Sequence, residues 1–256
     1  MFITQIDFEI LKSVEIEQQS DAIYSVLAAY SQDGRILDEN FGVFQADNTF
    51  KTFVSIPAED AFENFVVSKY ISESLQKLNT VGLSLPNHKI LGKDTERSKS
   101  CECKNSSAYI LITNFLSIQS PLNCFDCNLP VPLYRFPRPL SGNFCYILGW
   151  QSEYKACDTL QMQSGFGERF GIRQMSNFKS GLTKSGLEIC NGIQNLTKKP
   201  CYYYLYHPNG RSLKKERERK CPSCNGEWLL ENQLLKLFDF KCDKCHLLSH
   251  IAFSLS

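Results

Sequence analysis

Apolar and polar residues alternate from Met1 to Leu11, with Phe2, Ile3, Ile6, Phe8 and Ile10 as the apolar set. A period of two predicts a half-buried strand. From about Glu15 the period lengthens: Ile23, Val26, Leu27 and Tyr30 share one helical face, and Asp33-Gly34 stops the helix. Ile36 to Gln45 reads as a second strand, Asp47-Asn48 as a turn, and Thr49 to Ile56 as a third strand closing a hairpin. Pro57 then opens a long helix with Ala61, Phe62, Phe65, Val66, Tyr70, Ile71 and Leu75 at helical spacing, and Val81 to Leu91 supplies a fourth strand. The succession β-α-β-β-α-β over residues 1–95 predicts an α+β domain of the ferredoxin-like type, a fold that specifies no activity by itself.

The pattern is less regular afterwards. Gly92 to Asn105 is a polar loop, and Ala108 to Phe115 reads as a strand. Leu129 to Leu140 carries Pro130, Pro132, Pro137 and Pro139 and predicts an extended connector, so that residues 96–140 form a linking segment. Its Arg135 and Arg138 read as solvated, and Tyr134 and Phe136 keep a peptide- or base-stacking role open. Residues 141–210 form a helical segment ending in a tyrosine-rich strand. A helix over Ser141 to Gln163 places Phe144, Ile147, Leu148, Gly149, Tyr154, Cys157 and Leu160 on one broad face, with Trp150 beside it as a core residue rather than a cofactor platform. A short helix over 166–178 bears Glu168, Arg169 and Arg173; a third, from Thr183 to Asn195, is capped by Ser180; Cys201 to Tyr206 is the strand. The glycines of Gly165-Phe-Gly-Glu-Arg-Phe-Gly171 follow a helix and lack the dinucleotide spacing, which argues against a phosphate loop. Residues 211–256 supply three short strands, Glu227–Leu230, Leu234–Phe240 and Leu247–Phe253.

The cysteines change this picture. Cys221-Pro-Ser-Cys224 is followed after seventeen residues by Cys242-Asp-Lys-Cys245, the spacing of a four-thiolate zinc site. Two C-x2-C turns fill the four tetrahedral corners that Zn²⁺ prefers, so no place is left for water and the ion is structural. His246 and His250 are surplus to this set. Cys101-Glu-Cys103, twenty residues, and Cys124-Phe-Asp-Cys127 make a second candidate zinc site. Its C-x-C half needs a special turn, and the alternative is free thiols on a loop and a strand end.

Net charge is only +1, against generic phosphate binding, but its distribution is uneven. Residues 1–100 hold nine basic and fifteen acidic side chains, whereas residues 211–256 hold nine and six. Arg211 to Lys220 alone has six basic residues and reads either as a solvated charge-mixed segment or as a phosphate-binding arm placed by the ribbon, with Lys214, Lys215, Arg217, Arg219, Lys220 and Trp228 as the nucleic-acid candidates. Asp38, Glu39, Glu59 and Asp60 are the candidate contacts of an acidic face for a basic protein partner. The first residues lack a secretory pattern, no apolar run reaches membrane-span length, and the cysteine spacing suits a reducing compartment; the expectation is a cytoplasmic protein without a membrane partner.

Several stretches carry a resemblance: Val131-Pro-Leu-Tyr-Arg-Phe136, Ala156-Cys-Asp-Thr-Leu-Gln161, Gly167-Glu-Arg169, Tyr202-Tyr-Tyr-Leu205, Cys221-Pro-Ser-Cys224, and Phe238 through Ser249. Over about residues 120–256 the chain resembles a bacterial family described only as zinc-ribbon-containing proteins of unknown function with a suggested nucleic-acid-binding role. The resemblance implies zinc and supplies no catalytic residues. None of the four histidines stands in a recognisable catalytic motif, so the expectation is a non-enzymatic α+β protein: an acidic ferredoxin-like domain, then an α+β segment finished by a four-cysteine zinc ribbon. It would bind nucleic acid, or else neutralise a bacterial toxin as an immunity or adaptor protein, holding one structural Zn²⁺ or two.

Overall fold

A computed structural model of the protein describes residues 1–63, 68–95 and 99–255. It is a mixed α+β chain of two compact units: Met1–Glu102 with Ile118–Ser120 and Leu129–Cys145, and Cys103–Ser117 with Pro121–Asn128 and Tyr146–Ser256.

The first unit contains β1 (Phe2–Glu9), α1 (Ile16–Gln32), β2 (Phe44–Ala46), β3 (Thr49–Ile56), α2 (Lys69–Thr80) and β4 (Asn87–Lys93). The strands lie in the order β2-β3-β1-β4, and every neighbouring pair is antiparallel. The alternation of β1 does what a period of two requires: Ile6 and Phe8 are fully buried, in a core with Ile23, Val26 and Leu27 of α1 and Ile71 and Leu78 of α2. The Asp47-Asn48 turn is present, with Asp47 at φ 53°.

Three expectations need correction. The second strand is only Phe44–Ala46; Ile36 is buried at the end of a turn, where Gly34 takes φ +70° and a Cβ would lie 2.6 Å from Leu133 Cβ. The second helix does not begin at Pro57. Glu59–Phe62 is a 3₁₀ turn, and α2 starts at Lys69, where Ser68 Oγ accepts the Ile71 amide at 3.3 Å; Phe65 and Val66 lie outside the described residues. The fourth strand starts at Asn87, because Val81 and Leu83 turn inward and only Leu83 bridges to Ile10.

Side chains of the proline-rich segment turn inward or pair with carboxylates. Tyr134 and Phe136 are buried, which closes the stacking role left open for them, and both arginines are anchored. Arg135 pairs with Asp60, and Arg138 pairs with the fully buried Asp33, which also holds Arg35.

His88 of β4 stacks on Phe62 at 3.9 Å, and its buried Nε2 has no hydrogen-bond partner among the described residues. Burial, and then the Arg35 charge, hold its pKa down at about 4, against an ordinary value of 6.5. The unfolded chain therefore takes up a proton near 6.5 that the folded chain refuses until about 4, so stability is present above 6.5 and is lost as pH falls through this window. By pH 5 the loss is about 2 kcal/mol from this one group. In urea titrations at pH 7 and pH 5, His88→Phe should shrink the wild-type stability difference by about that amount; an equal difference in both proteins would remove His88 as the cause.

The second unit contains β5 (Tyr109–Leu111), β6 (Leu122–Cys124), α3 (Cys145–Gln163), α4 (Glu168–Ser176), α5 (Gly181–Thr197), β7 (Cys201–Tyr204), α6 (Leu213–Arg217), β8 (Leu229–Leu234), β9 (Phe238–Cys242) and β10 (Leu247–Ser249). Its sheet runs β6-β5-β7-β10-β9-β8, with β7 parallel to both neighbours. The tyrosines of β7 serve both faces. Tyr202 and Tyr204 pack with Phe238, while Tyr203 meets Trp150 and lies so close to α5 that a Cβ on Gly186 would come within 2.2 Å of its ring. The glycine-rich segment also has a packing origin: a Cβ on Gly171 would fall 2.3 Å from the Cys157 carbonyl oxygen, so this glycine lets α4 lie against α3. Near the C-terminus, Leu235 and Lys236 take φ 55° and 58°, turning the chain between β8 and β9 inside the stretch expected as one strand.

Candidate metal centres

The C-terminal cysteines sit on two tight turns at the end of the sheet. At the first, the Cys221 amide donates to Gly226 O at 3.0 Å and the Asn225 amide donates to Cys221 O at 2.9 Å, with Asn225 at φ 57°. The second follows β9: Cys242 is its last residue, and His246 takes φ 50° before β10 begins. A left-handed residue directly after each C-x2-C reverses the chain, so that amides of the turn face the sulfurs. The Gly226 amide donates to Cys224 and, with the neighbouring sulfurs, holds its pKa down at about 7; burial works against this more weakly. Burial pushes Cys242 up to about 12, and raises Cys221 as well.

The four sulfurs all lie within 4.8 Å of one another, and those of Cys224 and Cys242 are 3.7 Å apart. Tetrahedral Zn–S bonds of about 2.3 Å would set ligand sulfurs roughly 3.8 Å apart. Four thiolates held this close repel one another and need a cation to offset their charge. The group could hold a metal ion, and with four sulfur donors it leaves no position open. His246 and His250 are engaged elsewhere: His246 meets the Tyr202 ring edge-on at 5.5 Å, and His250 Nδ1 lies 2.7 Å from Ile251 O.

Of the second candidate set, Cys103, Cys124 and Cys127 lie in the second unit with their sulfurs within 4.8 Å of one another, and Cys101 belongs to the first unit. Cys124-Phe-Asp-Cys127 repeats the first turn closely: the Asn128 amide donates to Cys124 O at 2.9 Å, and Asn128 takes φ 57°. Burial would raise the Cys124 thiol, but Ser106 Oγ, 3.1 Å away, and the Cys127 and Asp126 amides outweigh it and bring it to about 7. Cys101 is fixed by its amide donating to Pro130 O at 2.8 Å. All twelve cysteines are free of disulfides. The left-handed asparagines and Ser106 were missed from sequence, although an Asn directly after C-x2-C at both places was a usable signal.

The basic candidates divide. Lys214, Lys215 and Arg217 are exposed on α6, which Ser212 caps through the Lys215 amide at 3.3 Å. Arg219 is not part of this surface. Its guanidinium lies 4.9 Å from the Trp228 ring centre and 4.2 Å from that of Phe240, and it donates to His250 O at 2.9 Å. Burial lowers its pKa. Trp228 is buried in the same packing and donates its indole N–H to Arg219 O at 2.8 Å, and Lys220 pairs with Glu227. Among the acidic candidates, Glu39 and Glu59 are exposed. Asp38 accepts the Ser55 amide, and Asp60 is held by Arg135 and Tyr134. The Asp60 carboxyl is held below the usual range, because the hydrogen bonds from Arg135 and Tyr134 outweigh the opposing effect of burial.

Three family models match the chain, each described as a domain of unknown function: DUF8589 over residues 1–92, DUF2310 over 103–206 and DUF8594 over 210–255. The chain is similar to two proteins of Haemophilus influenzae described as uncharacterised. One is 28% identical over 243 residues, covering 93% of each chain. The other is 31% identical over 173 residues, covering 68% of this chain and 85% of the relative.

Proposed function

We propose that this chain, which belongs to the bacterial family of those uncharacterised Haemophilus influenzae proteins, is a non-enzymatic zinc-ribbon protein that binds nucleic acid. The observation that carries the reading is the closed four-sulfur group of Cys221, Cys224, Cys242 and Cys245, preceded directly by the exposed cations of α6. A tetrahedral all-sulfur set favours Zn²⁺ among common ions, and a closed set gives the ion a structural task, not a catalytic one. The second candidate set would take a second Zn²⁺. The first unit supports a ferredoxin-like assignment through its antiparallel order β2-β3-β1-β4 with helices after β1 and β3. Twelve free thiols suit a reducing compartment such as the cytoplasm, and among the described residues no helix is long and apolar enough to cross a membrane.

The basic surface is smaller than the sequence suggests, because Arg219, Lys220 and Trp228 are engaged within the ribbon. Binding should therefore be weak and salt-sensitive and rest on Lys214, Lys215 and Arg217. In fluorescence anisotropy at low salt, the Lys214→Ala/Lys215→Ala/Arg217→Ala variant should bind a labelled oligonucleotide at least tenfold more weakly than the wild type, with zinc content unchanged. Equal affinity would remove α6 from the interface. The immunity or adaptor reading would instead use the acidic candidates Glu39 and Glu59, both exposed. A pull-down that retains one basic protein after nuclease treatment would favour it.

A further inference from the structure

Within the second unit, α4 and the turn to α5 line a cavity of about 920 Å³, which also reaches Asn209 and Pro222, the residue after Cys221. The sequence explains why cations face it. Gly171 and Met175 are buried on the inner side of α4, so Arg169 and Arg173, one turn apart, are exposed on the other. The turn adds Lys179. It is a rigid turn: Asn177 Oδ1 accepts the Lys179 amide at 2.9 Å, and Ser180 Oγ both donates to Gln174 O at 2.6 Å and caps α5. Glu168 is the one carboxylate in the lining, against three cations. Phe178, half-buried, gives an apolar wall.

We propose that this cavity is a second nucleic-acid contact, holding a segment of two or three nucleotides of single-stranded DNA or RNA. The inference rests on the nucleic-acid reading above. Paired arginines present planar forks that match phosphate oxygens, and Lys179 adds a point charge. Phe178 supplies a ring on which one base can stack, and Asn209 has the donor and acceptor a base edge needs. The volume is near the upper end of the roughly 300–1,000 Å³ range of small-ligand sites, too large for phosphate alone. The pocket is open to solvent, and a single strand can splay its bases onto the ring in its wall, which the stacked bases of a duplex cannot do. The cavity reaches the first C-x2-C turn through Pro222, so a metal held by that turn would fix one wall.

The test uses the full chain with its zinc and a fluorescein-labelled ten-nucleotide single strand, as DNA and as RNA, titrated at several salt concentrations. Arg169→Gln/Arg173→Gln should weaken binding at least tenfold and lower the slope of log K against log salt by about 1.4, at about 0.7 per lost phosphate contact on a single strand. Its melting temperature and zinc content should match the wild type. If this variant binds as the wild type does while the α6 triple variant loses affinity, the nucleic-acid reading stands and the cavity inference is overturned. A parallel NMR titration with AMP separates the two further. AMP shifting Phe178 and the Lys179 amide, with no oligonucleotide binding, would keep a nucleotide site and overturn the single-strand ligand. No response to either probe would overturn both readings, and displacement of the oligonucleotide by an equimolar polyglutamate peptide would overturn phosphate recognition.

Discussion

Replacing Cys242 by serine should remove one zinc ion per chain and lower the melting temperature of the protein by about 8–20 °C. Cys242 is buried, closes β9, and faces Leu247 across the β9–β10 pair, so its sulfur ties the last two strands to the turn carrying Cys221 and Cys224. Structural zinc contributes roughly 10–16 kcal/mol in small zinc modules, comparable with the whole stability of a typical domain. Part of that would be retained here, because Phe238 and Leu248 also pack with the tyrosines of β7. At roughly 2–4 °C per kcal/mol for a domain of this size, a loss of 4–5 kcal/mol gives the stated shift. Native mass spectrometry of protein isolated under reducing conditions should count two zinc ions in the wild type and one in Cys242→Ser. Cys124→Ser should also hold one. Wild-type protein that carries no metal in zinc-supplemented buffer, together with an unchanged melting curve for Cys242→Ser, would sink the structural-zinc reading.

The parts of this molecule that were legible in sequence are those decided by neighbours along the chain. Strand β3 matches its expected limits, Thr49 to Ile56, because alternation and the Asp47-Asn48 turn are local signals. The Ser180 cap was equally local. The C-terminal cysteine group was legible because metal spacing is a covalent constraint: two turns must each offer two sulfurs. What failed depended on distant partners. Ile36 has the apolarity of a strand residue, but it enters the core from a turn whose Gly34 leaves room for Leu133. Leu235-Lys236 carries neither Asn nor Gly, so nothing announced a left-handed turn between β8 and β9. Lys214 and Arg219 are both cations in one basic run, yet only the arginine has a planar group able to cover Trp228 and Phe240. Arg135 and Arg138 look solvated in sequence for the same reason: the carboxylates that hold them lie 75 and 105 residues earlier in the chain.

That last pairing supports a second large effect. Asp33→Asn should destabilise the first unit by about 3–5 kcal/mol, the usual cost of removing one partner from a buried ion pair. The side chain of Asp33 is completely buried between Arg35, itself 2% exposed, and Arg138, 20% exposed. Asparagine keeps the shape, so the loss is electrostatic: the two guanidinium groups remain together without the charge that offset them, and one buried nitrogen of Arg35, Nη2, already has no partner among the described residues. Arg138→Met should cost less, because it leaves the Asp33–Arg35 pair balanced and its own head group partly reaches water. The double variant Asp33→Asn/Arg138→Met should then be more stable than Asp33→Asn alone, since removing Arg138 relieves the excess positive charge. Urea denaturation of the four proteins at pH 7 gives the coupling directly. Little of it should be screened by 0.5 M NaCl, because Asp33 is out of solvent. If Asp33→Asn unfolds at the wild-type midpoint, or if the double variant is simply the sum of the single losses, the buried aspartate does not pin the proline-rich segment to the first unit.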